Sequence, residues 1–346
     1  MLDKIKKRID LNLIRFLNQV DASYNLNFIS PLLFKVIKDF ILRDGKRLRP
    51  ILFVIGYKGF SKKEPAGLYT SALSIELLHD FMLVHDDIID KSEMRRKKPS
   101  MHVLLNKYLA RYPKAKFNGQ DLSIVAGDII YAIAIDAFLK INALPLNKER
   151  ALKRFIRAAV YTGSGEFIEL LSGTKKIEET TKEDIEKIYD YKTAEYTFST
   201  PLATGALLAG ASQREEKILS EFGRYLGRAF QVKDDILGLF SDEKKIGKSI
   251  LSDLQEAKKT LVLWHIFNKS CPRKKSLIKN ILSKQKVTIK DLQRIRLISQ
   301  KTKSLDYARN EVEIFASKAE SILKRSGLSQ KHKDTLIHYC RELLDF

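Results

Sequence analysis

Hydrophobic residues recur at three- and four-residue intervals almost from one end of this chain to the other, the period of a helix that buries one face. Short alternating runs of β-branched residues bounded by turn pairs, the mark of strands, are nearly absent. The pattern predicts a first helix carrying Leu2, Ile5, Ile9, Leu13, Phe16 and Val20, a second opened by Pro31 and ending near Asp44 and Gly45, and a third from Leu48 to Tyr57. A long helix from about Glu64 to Asp90 follows, then a basic loop from Lys91 to Pro99, and later a linker from Tyr112 to Asp121 that holds Pro113 and Gly119. Further helices are expected at 120–141, 148–171, 181–212 with a break at Pro201, 214–240, 250–269, 273–284, 289–324 and 328–345. No repeat period and no Pro-, Gly- or Ser-rich stretch divides the chain, so the fold class expected is all-α: one large helical bundle, a single domain over residues 1–346.

The long helix ends unusually. At about 100° per residue, Ile75, His79, Met82, Asp86 and Asp90 fall within roughly a quarter of its circumference, so an apolar stripe runs out into carboxylates. Like charges four residues apart cost a helix about 0.2–0.5 kcal/mol, and a carboxylate taken out of water without a partner costs several kcal/mol. A cation is therefore expected beside Asp86, Asp87 and Asp90. A second acidic pair, Asp234 and Asp235, closes the 214–240 helix in the same way. Hard oxygen donors in pairs, with no Cys or His spacing nearby, suit Mg²⁺ better than zinc, and Mg²⁺ held by few carboxylates completes its shell with substrate phosphate. Basic runs that could grip such a phosphate are Lys46-Arg47-Leu48-Arg49, Arg95-Arg96, Lys192-Thr193, Lys248-Ser249 and the stretch to Lys258-Lys259.

With 346 residues and 44% hydrophobic content the chain can bury a substantial core. Its net charge of +21 points to an anionic partner without choosing between nucleic acid, a membrane surface and a phosphorylated metabolite. Between Lys244 and Lys303 there are 17 Lys and Arg against 3 acids, yet aromatic residues are sparse there, which argues against single-stranded nucleic acid. Two cysteines, Cys271 and Cys340, in no metal spacing fit a reducing, cytoplasmic setting. Asp3 and Asp10 speak against a transit peptide, and Asp128 and Asp136 interrupt the most apolar run, Ile124 to Leu139, so no transmembrane segment is expected.

GKRLRP at 45–50, ELLHDFMLVHDDIIDKSEMRRKKPSMH at 76–102, AGD at 126–128, YKTAEYT at 191–197 and FQVKDDILGLFSDEKKIGKSILSDLQEAKKTL at 230–261 together resemble, in order, the trans-isoprenyl diphosphate synthases of the polyprenyl synthetase family. KTAEYT and DDILGLFSDE look most like the archaeal-type geranylgeranyl and farnesyl diphosphate synthases. The resemblance implies an isoprenoid-synthase bundle around an apolar cavity and a head-to-tail condensation of isopentenyl diphosphate with allylic diphosphates to a C15–C20 product. It implies that Asp86, Asp87 and Asp90 form the first aspartate motif and Asp234 and Asp235 the second, holding about three Mg²⁺ ions on the allylic diphosphate. Arg95, Lys192, Lys248 and Lys258 would contact that diphosphate, while Lys46, Arg49, His79 and Arg96 would bind isopentenyl diphosphate. Gln231 and Thr193 would face the developing cation, Phe81 would help close the product pocket, and a homodimer is implied. Met82 lies about 6 Å behind Asp86 on the same helix face, where it serves either as part of the chain-length floor or as ordinary core.

Several positions depart from the family pattern. Gly238 stands where many members have an Asp, for which Asp242 offers compensation; Lys97 and Ala257 stand where Gly is usual, and Glu166 and Glu169 replace the usual Gln and Asp. Alternative readings are a terpene cyclase, a non-catalytic subunit of a heteromeric synthase and, from charge alone, a basic helical nucleic-acid-binding protein. The last leaves both aspartate motifs unexplained.

Overall fold

The computed structural model describes residues 1–241 and 250–345 and divides them into two compact units. Lys248 and Asp242 lie outside the described residues. Unit 1 comprises Met1–Phe155 and Pro201–Ser212, and unit 2 comprises Ile156–Thr200 and Gln213 onward.

In unit 1 the order is α1 (Leu2–Tyr24), α2 (Leu26–Ile29), α3 (Pro31–Ile41), α4 (Leu48–Phe60), α5 (Leu68–Ile89), β1 (Met94–Arg95), β2 (Lys98–Pro99), α6 (Met101–Leu109) and α7 (Gly119–Leu139). The start of α8 (Pro145–Thr174) and most of α10 (Thr200–Leu208) belong to it as well. Local chemistry sets the boundaries. Ser30 caps α3 through the Leu33 amide with Pro31 at its first position, and Asn118 with Asp121 forms a reciprocal capping box on α7. The long predicted helix begins at Leu68 rather than Glu64, because Gly67 at φ +81° turns the chain immediately before it.

From Leu68 to Leu78, α5 is buried on nearly every face rather than along one stripe. It is the central helix of the unit, with α1, α4 and α7 packed around it. Ile75, Leu77 and Leu78 on this helix and Phe53 on α4 are fully buried, each contributing about 1.5–3 kcal/mol by leaving water. Helix α7 is the one described helix long and apolar enough to cross a membrane. Here its Ala126, Ile130, Ala134, Ala137 and Phe138 are buried within the unit. The expected basic loop at 91–99 is instead a minimal antiparallel hairpin pairing Met94 with Pro99 and Arg95 with Lys98. Its two turn residues, Arg96 at φ 51° and Lys97 at φ 62°, are both left-handed, as the tight hairpin turn requires.

Unit 2 continues α8 and adds a 3₁₀ turn (Ile177–Glu179), α9 (Lys182–Ile188), a π-helical segment (Tyr189–Ser199) and α11 (Gln213–Phe240). It then carries α12 (Ser252–Gln255), α13 (Leu261–Asn268), α14 (Pro272–Leu282), α15 (Ile289–Thr302), α16 (Ser304–Lys324) and α17 (Gln330–Leu344). Three expectations are corrected in this part of the chain. Pro201 does not break the 181–212 helix, since the chain widens into a π-helix before it and the Thr200 amide reaches back to the Glu195 carbonyl. The 250–269 helix is two, parted where Ala257 is left-handed at φ 50°, and the 289–324 helix is two, parted at Lys303 with φ 53°. Neither break carries the Gly that would have marked it. Helix α11 lies along α16 and along the π-segment, closely enough that a Cβ on Gly227 would stand 2.2 Å from the Ala194 methyl.

In unit 1, α4 and α10 meet as closely: a Cβ on Gly205 would lie 2.0 Å from the Phe53 carbonyl oxygen. Gly205→Ala is expected to cost about 3 kcal/mol, the upper end for overpacking, read from the urea unfolding midpoint; a change within 0.5 kcal/mol, the usual range for a surface substitution, would contradict that contact.

Candidate active site

The first acidic set sits on the last turn of α5. Asp87 is buried, and the Arg95 guanidinium from the hairpin grips it, with Nε donating to Oδ1 at 2.7 Å and Nη2 donating to the same oxygen. Arg95 Nη2 also donates to Asp86 Oδ2 at 3.2 Å. Burial pushes the Asp87 carboxyl up to about 6 in spite of Arg95, which pulls it down. The other Asp87 oxygen is buried without a hydrogen bond. Asp86 is more open, with its side chain 24% exposed, and Asp90 is half-buried at the helix C-cap.

The hairpin that brings Arg95 here is held from below by a residue that the sequence did not single out. The Arg43 side chain is buried, donating Nη1 to the Arg95 carbonyl (3.2 Å) and Nη2 to the Pro99 carbonyl and Asp39 (both 2.9 Å). Lys98 Nζ donates to the same Asp39 at 2.8 Å. A second pairing lies one residue along. Arg96 Nη2 is 3.3 Å from Asp80 Oδ1 and 3.9 Å from Glu76 Oε1 on α5.

Glu76 accepts from Arg47 Nη1 at 2.9 Å, and Arg47 in turn donates to Asp10 on α1 and to the Arg43 carbonyl, both at 3.0 Å. The loop carrying Lys46 is thereby set against Arg96, since a Cβ on Gly45 would be 3.7 Å from the Arg96 guanidinium carbon. Lys46 is exposed and Arg49 half-buried. His79, on α5, is held well below its ordinary pKa by burial and by Arg49, Arg96, Arg95 and Arg47, so it is neutral and can donate or accept without adding charge. Phe81 lies tilted against Tyr131 (centroids 5.1 Å) and edge-on to His85 (4.7 Å), and Met82 beside it is half-buried. His85 Nδ1 lies 3.1 Å from the Phe81 carbonyl of its own helix.

In unit 2 a hydrogen-bonded relay crosses from the π-segment to α11. Thr193 Oγ1 donates to Gln231 Oε1 (2.6 Å) and Gln231 Nε2 donates to Asp235 Oδ1 (3.0 Å). The Tyr189 hydroxyl donates to the other Asp235 oxygen and accepts the Leu261 amide at 2.8 Å. Asp235 is buried, and burial raises its pKa well above the carboxylate range. Its neighbour Asp234 is exposed. Gly238 has a positive use: a Cβ there would come 2.5 Å from Asp253 Oδ2, so the missing side chain leaves room for the Asp253 carboxylate.

Lys192 Nζ pairs with Glu166 at 2.6 Å and with Glu169, and Lys258 Nζ lies 2.8 Å from Glu256 and 4.0 Å from Glu169. The two glutamates that depart from the family pattern are thus the partners of Lys192. The left-handed Ala257 sets the direction in which Lys258 leaves the chain.

Both acidic pairs divide by burial in the same way: Asp87 and Asp235 are buried, while Asp86, which also accepts from Arg95, and Asp234 are the more exposed members. The donor set is all carboxylate oxygen, which fits Mg²⁺. The structure places the expected residues of unit 1 in one cluster at the end of α5, the hairpin and the start of α4. Those of unit 2 that lie among the described residues cluster on the π-segment, α11 and the stretch around Ala257.

Helical architecture with paired carboxylates on two helix ends and basic side chains beside each defines a class of all-helical protein equipped to hold divalent cations and phosphate groups. A family model described as Polyprenyl synthetase matches residues 30–298, and the chain belongs to that family. It is 32% identical to a geranylgeranyl diphosphate synthase of Sulfolobus acidocaldarius, over 89% of this chain and 88% of that one. It is 31% identical to a geranylfarnesyl diphosphate synthase of Aeropyrum pernix, over 82% and 85%. The fold matches a geranylgeranyl pyrophosphate synthase from Corynebacterium glutamicum, solved with isoprenyl diphosphate and magnesium. The TM-score is 0.89 at 23% identity, covering 100% of this chain and 99% of that chain.

Arg43, Glu76, Asp80, Tyr189 and Asp253 are the site residues that sequence reasoning passed over, while Arg47, expected among the phosphate-gripping basic runs, is buried and spends its donors on Asp10, Glu76 and the Arg43 carbonyl. Only the four-residue spacing of Glu76 and Asp80 on a helix otherwise apolar could have signalled any of them. Arg43→Met is expected to lower stability by about 3 kcal/mol, as breaking a buried pair does, and to speed amide exchange in the 94–100 hairpin. Unchanged exchange there would show that Arg43 does not hold it.

Proposed function

We propose that this chain condenses isopentenyl diphosphate head to tail with allylic diphosphates to give C15–C20 prenyl diphosphates, geranylgeranyl diphosphate foremost. The two units act as one prenyl synthase domain over residues 1–346 in the cytoplasm. The observation that carries the reading is the paired division of carboxylates, one buried and one more exposed, at the ends of α5 and α11. Asp86 and Asp90 in one unit and Asp234 in the other bind magnesium, about three ions in all, while Asp87 and Asp235 act by fixing Arg95 and Gln231. When bound, Mg²⁺ neutralises charge on the departing diphosphate.

The remaining work falls to this chain's own side chains. Arg95, Lys192, Lys248 and Lys258 contact the allylic diphosphate and stabilise the negative charge that gathers there. Lys192 and Lys258 reach it by exchanging Glu166, Glu169 and Glu256 for phosphate oxygens. Lys46, Arg49, Arg96 and neutral His79 hold isopentenyl diphosphate. Gln231 and Thr193, oriented by Asp235 and Tyr189, turn oxygen toward the allylic cation. Phe81 and Met82 exclude water from behind Asp86 and bound the growing chain.

Incubation of the purified chain with Mg²⁺, isopentenyl diphosphate and each allylic starter tests the reading. A C15–C20 prenyl diphosphate is expected, and release of diphosphate with no longer product would refute it. Changing both Phe81 and Met82 to Ala is expected to lengthen the product by at least one C5 unit on mass analysis. An unchanged length would remove both residues from the pocket floor.

We also infer a homodimer. The exposed apolar residues Ile156, Val160, Phe167, Leu170 and Leu171 of α8 follow the alternating three- and four-residue spacing of a helix–helix seam, and Gly163, on the same spacing, has open space above it. Phe167→Glu is expected to shift the light-scattering mass from dimer to monomer. A monomeric wild type, or a variant that stays dimeric, would overturn this assignment.

A further inference from the structure

Asp80 is a fully buried acid to which the proposed reaction gives no part. Neither of its oxygens accepts a hydrogen bond: Arg96 Nη2 stands 3.3 Å from Oδ1 without pointing at it, and Arg96 Nη1 is itself buried with no partner. Its neighbour one turn earlier is treated differently. Glu76 is tied to Arg47, which Asp10 of α1 and the Arg43 carbonyl fix in turn. The charged groups facing Asp80 are Arg96 from the hairpin, Glu76 from its own helix, and Arg47 and Arg49 from the start of α4. A buried carboxylate so incompletely satisfied is costly, and any anion brought to Arg96 must take the guanidinium from it.

We propose that Asp80 is an internal counter-anion: it holds Arg96 when no substrate is present, competes with diphosphate for that arginine, and so sets the affinity for isopentenyl diphosphate. It is a positioning residue that acts through Arg96, and the inference rests on Arg96 meeting that diphosphate as proposed above. Burial first, and Glu76 second, raise the Asp80 carboxyl to about 7 against the pull of the arginines. The sign of the pH effect follows. Above about pH 7 the carboxylate is charged and competes for Arg96; below it the carboxyl is neutral and the competition lapses.

Asp80→Asn keeps the shape and removes the charge. Titration calorimetry with inorganic diphosphate is expected to show the variant binding about fivefold or more tightly than wild type at pH 8. At pH 6 the two should agree within about twofold. Comparison at equal pH cancels the ligand's own titration. Asp80→Ser, smaller and also neutral, should behave as Asp80→Asn does and stands in if that variant does not fold. In steady-state assays the change should fall on KM for isopentenyl diphosphate rather than on kcat.

Equal affinity at pH 8, weaker binding by the folded variants, or the same gap at both pH values would overturn the proposal. Because the calorimetry needs no turnover, an absence of prenyl product would count against the proposed activity alone. Turnover with unaltered diphosphate binding would count against Asp80 alone.

Discussion

Charge taken out of water is the constraint on which this structure turns. A helical protein that ends its apolar helices in carboxylates must supply each buried one with donors or leave it neutral. The chain does so locally within each unit, with Asp80, which accepts no hydrogen bond, as an exception. Asp87 is met by Arg95, Glu76 by Arg47, and Asp235 by Tyr189 and Gln231. These pairings add little net stability compared with an apolar core of the same volume. What they supply is position: a guanidinium fixed by a buried acid presents its remaining donors in one direction, and a Gln fixed by a buried acid turns its oxygen one way.

Holding those side chains requires unusual backbone. Arg47, Arg96, Lys97 and Ala257 all adopt left-handed conformations without being glycine, at a cost of about 1–2 kcal/mol each. The π-segment gives up regular helical bonding over eleven residues. Such strain persists only where packing over-determines it; besides these positions, Asn25 and Lys303 take the same conformation at helix ends, as does Lys91 just after α5. The Lys97 and Ala257 departures from the family pattern fall on positions whose left-handed backbone favours Gly.

Much of this was legible in the sequence. Helical periodicity gave the all-α fold, and the spacing of acids at the ends of two apolar stretches, with the ordered motif resemblance, gave both aspartate sets. Boundaries were legible where chemistry marks them, as at Ser30-Pro31, Asn118 with Asp121 and Thr288 with Asp291. They were missed where a left-handed Ala257 or Lys303 ends a helix without Gly, and where Arg96-Lys97 makes a hairpin turn without Asn or Gly. Buried partners such as Asp80 and Arg43 were illegible for a different reason. Periodicity reports which face is apolar, whereas a charge that crosses that face to meet another element is specified only by the fold.

The central claim is that in each acidic pair one carboxylate serves the protein and its neighbour serves the metal. Crystals grown with Mn²⁺ and a non-hydrolysable allylic diphosphate test it directly, because anomalous scattering locates each ion against each oxygen. The account expects ions about 2.1–2.2 Å from oxygens of Asp86, Asp90 and Asp234, close to the distances of magnesium-type oxygen sites, with Asp87 still on Arg95 and Asp235 still on Tyr189. Ions ligated by Asp87 or Asp235, with those internal bonds broken, would contradict it.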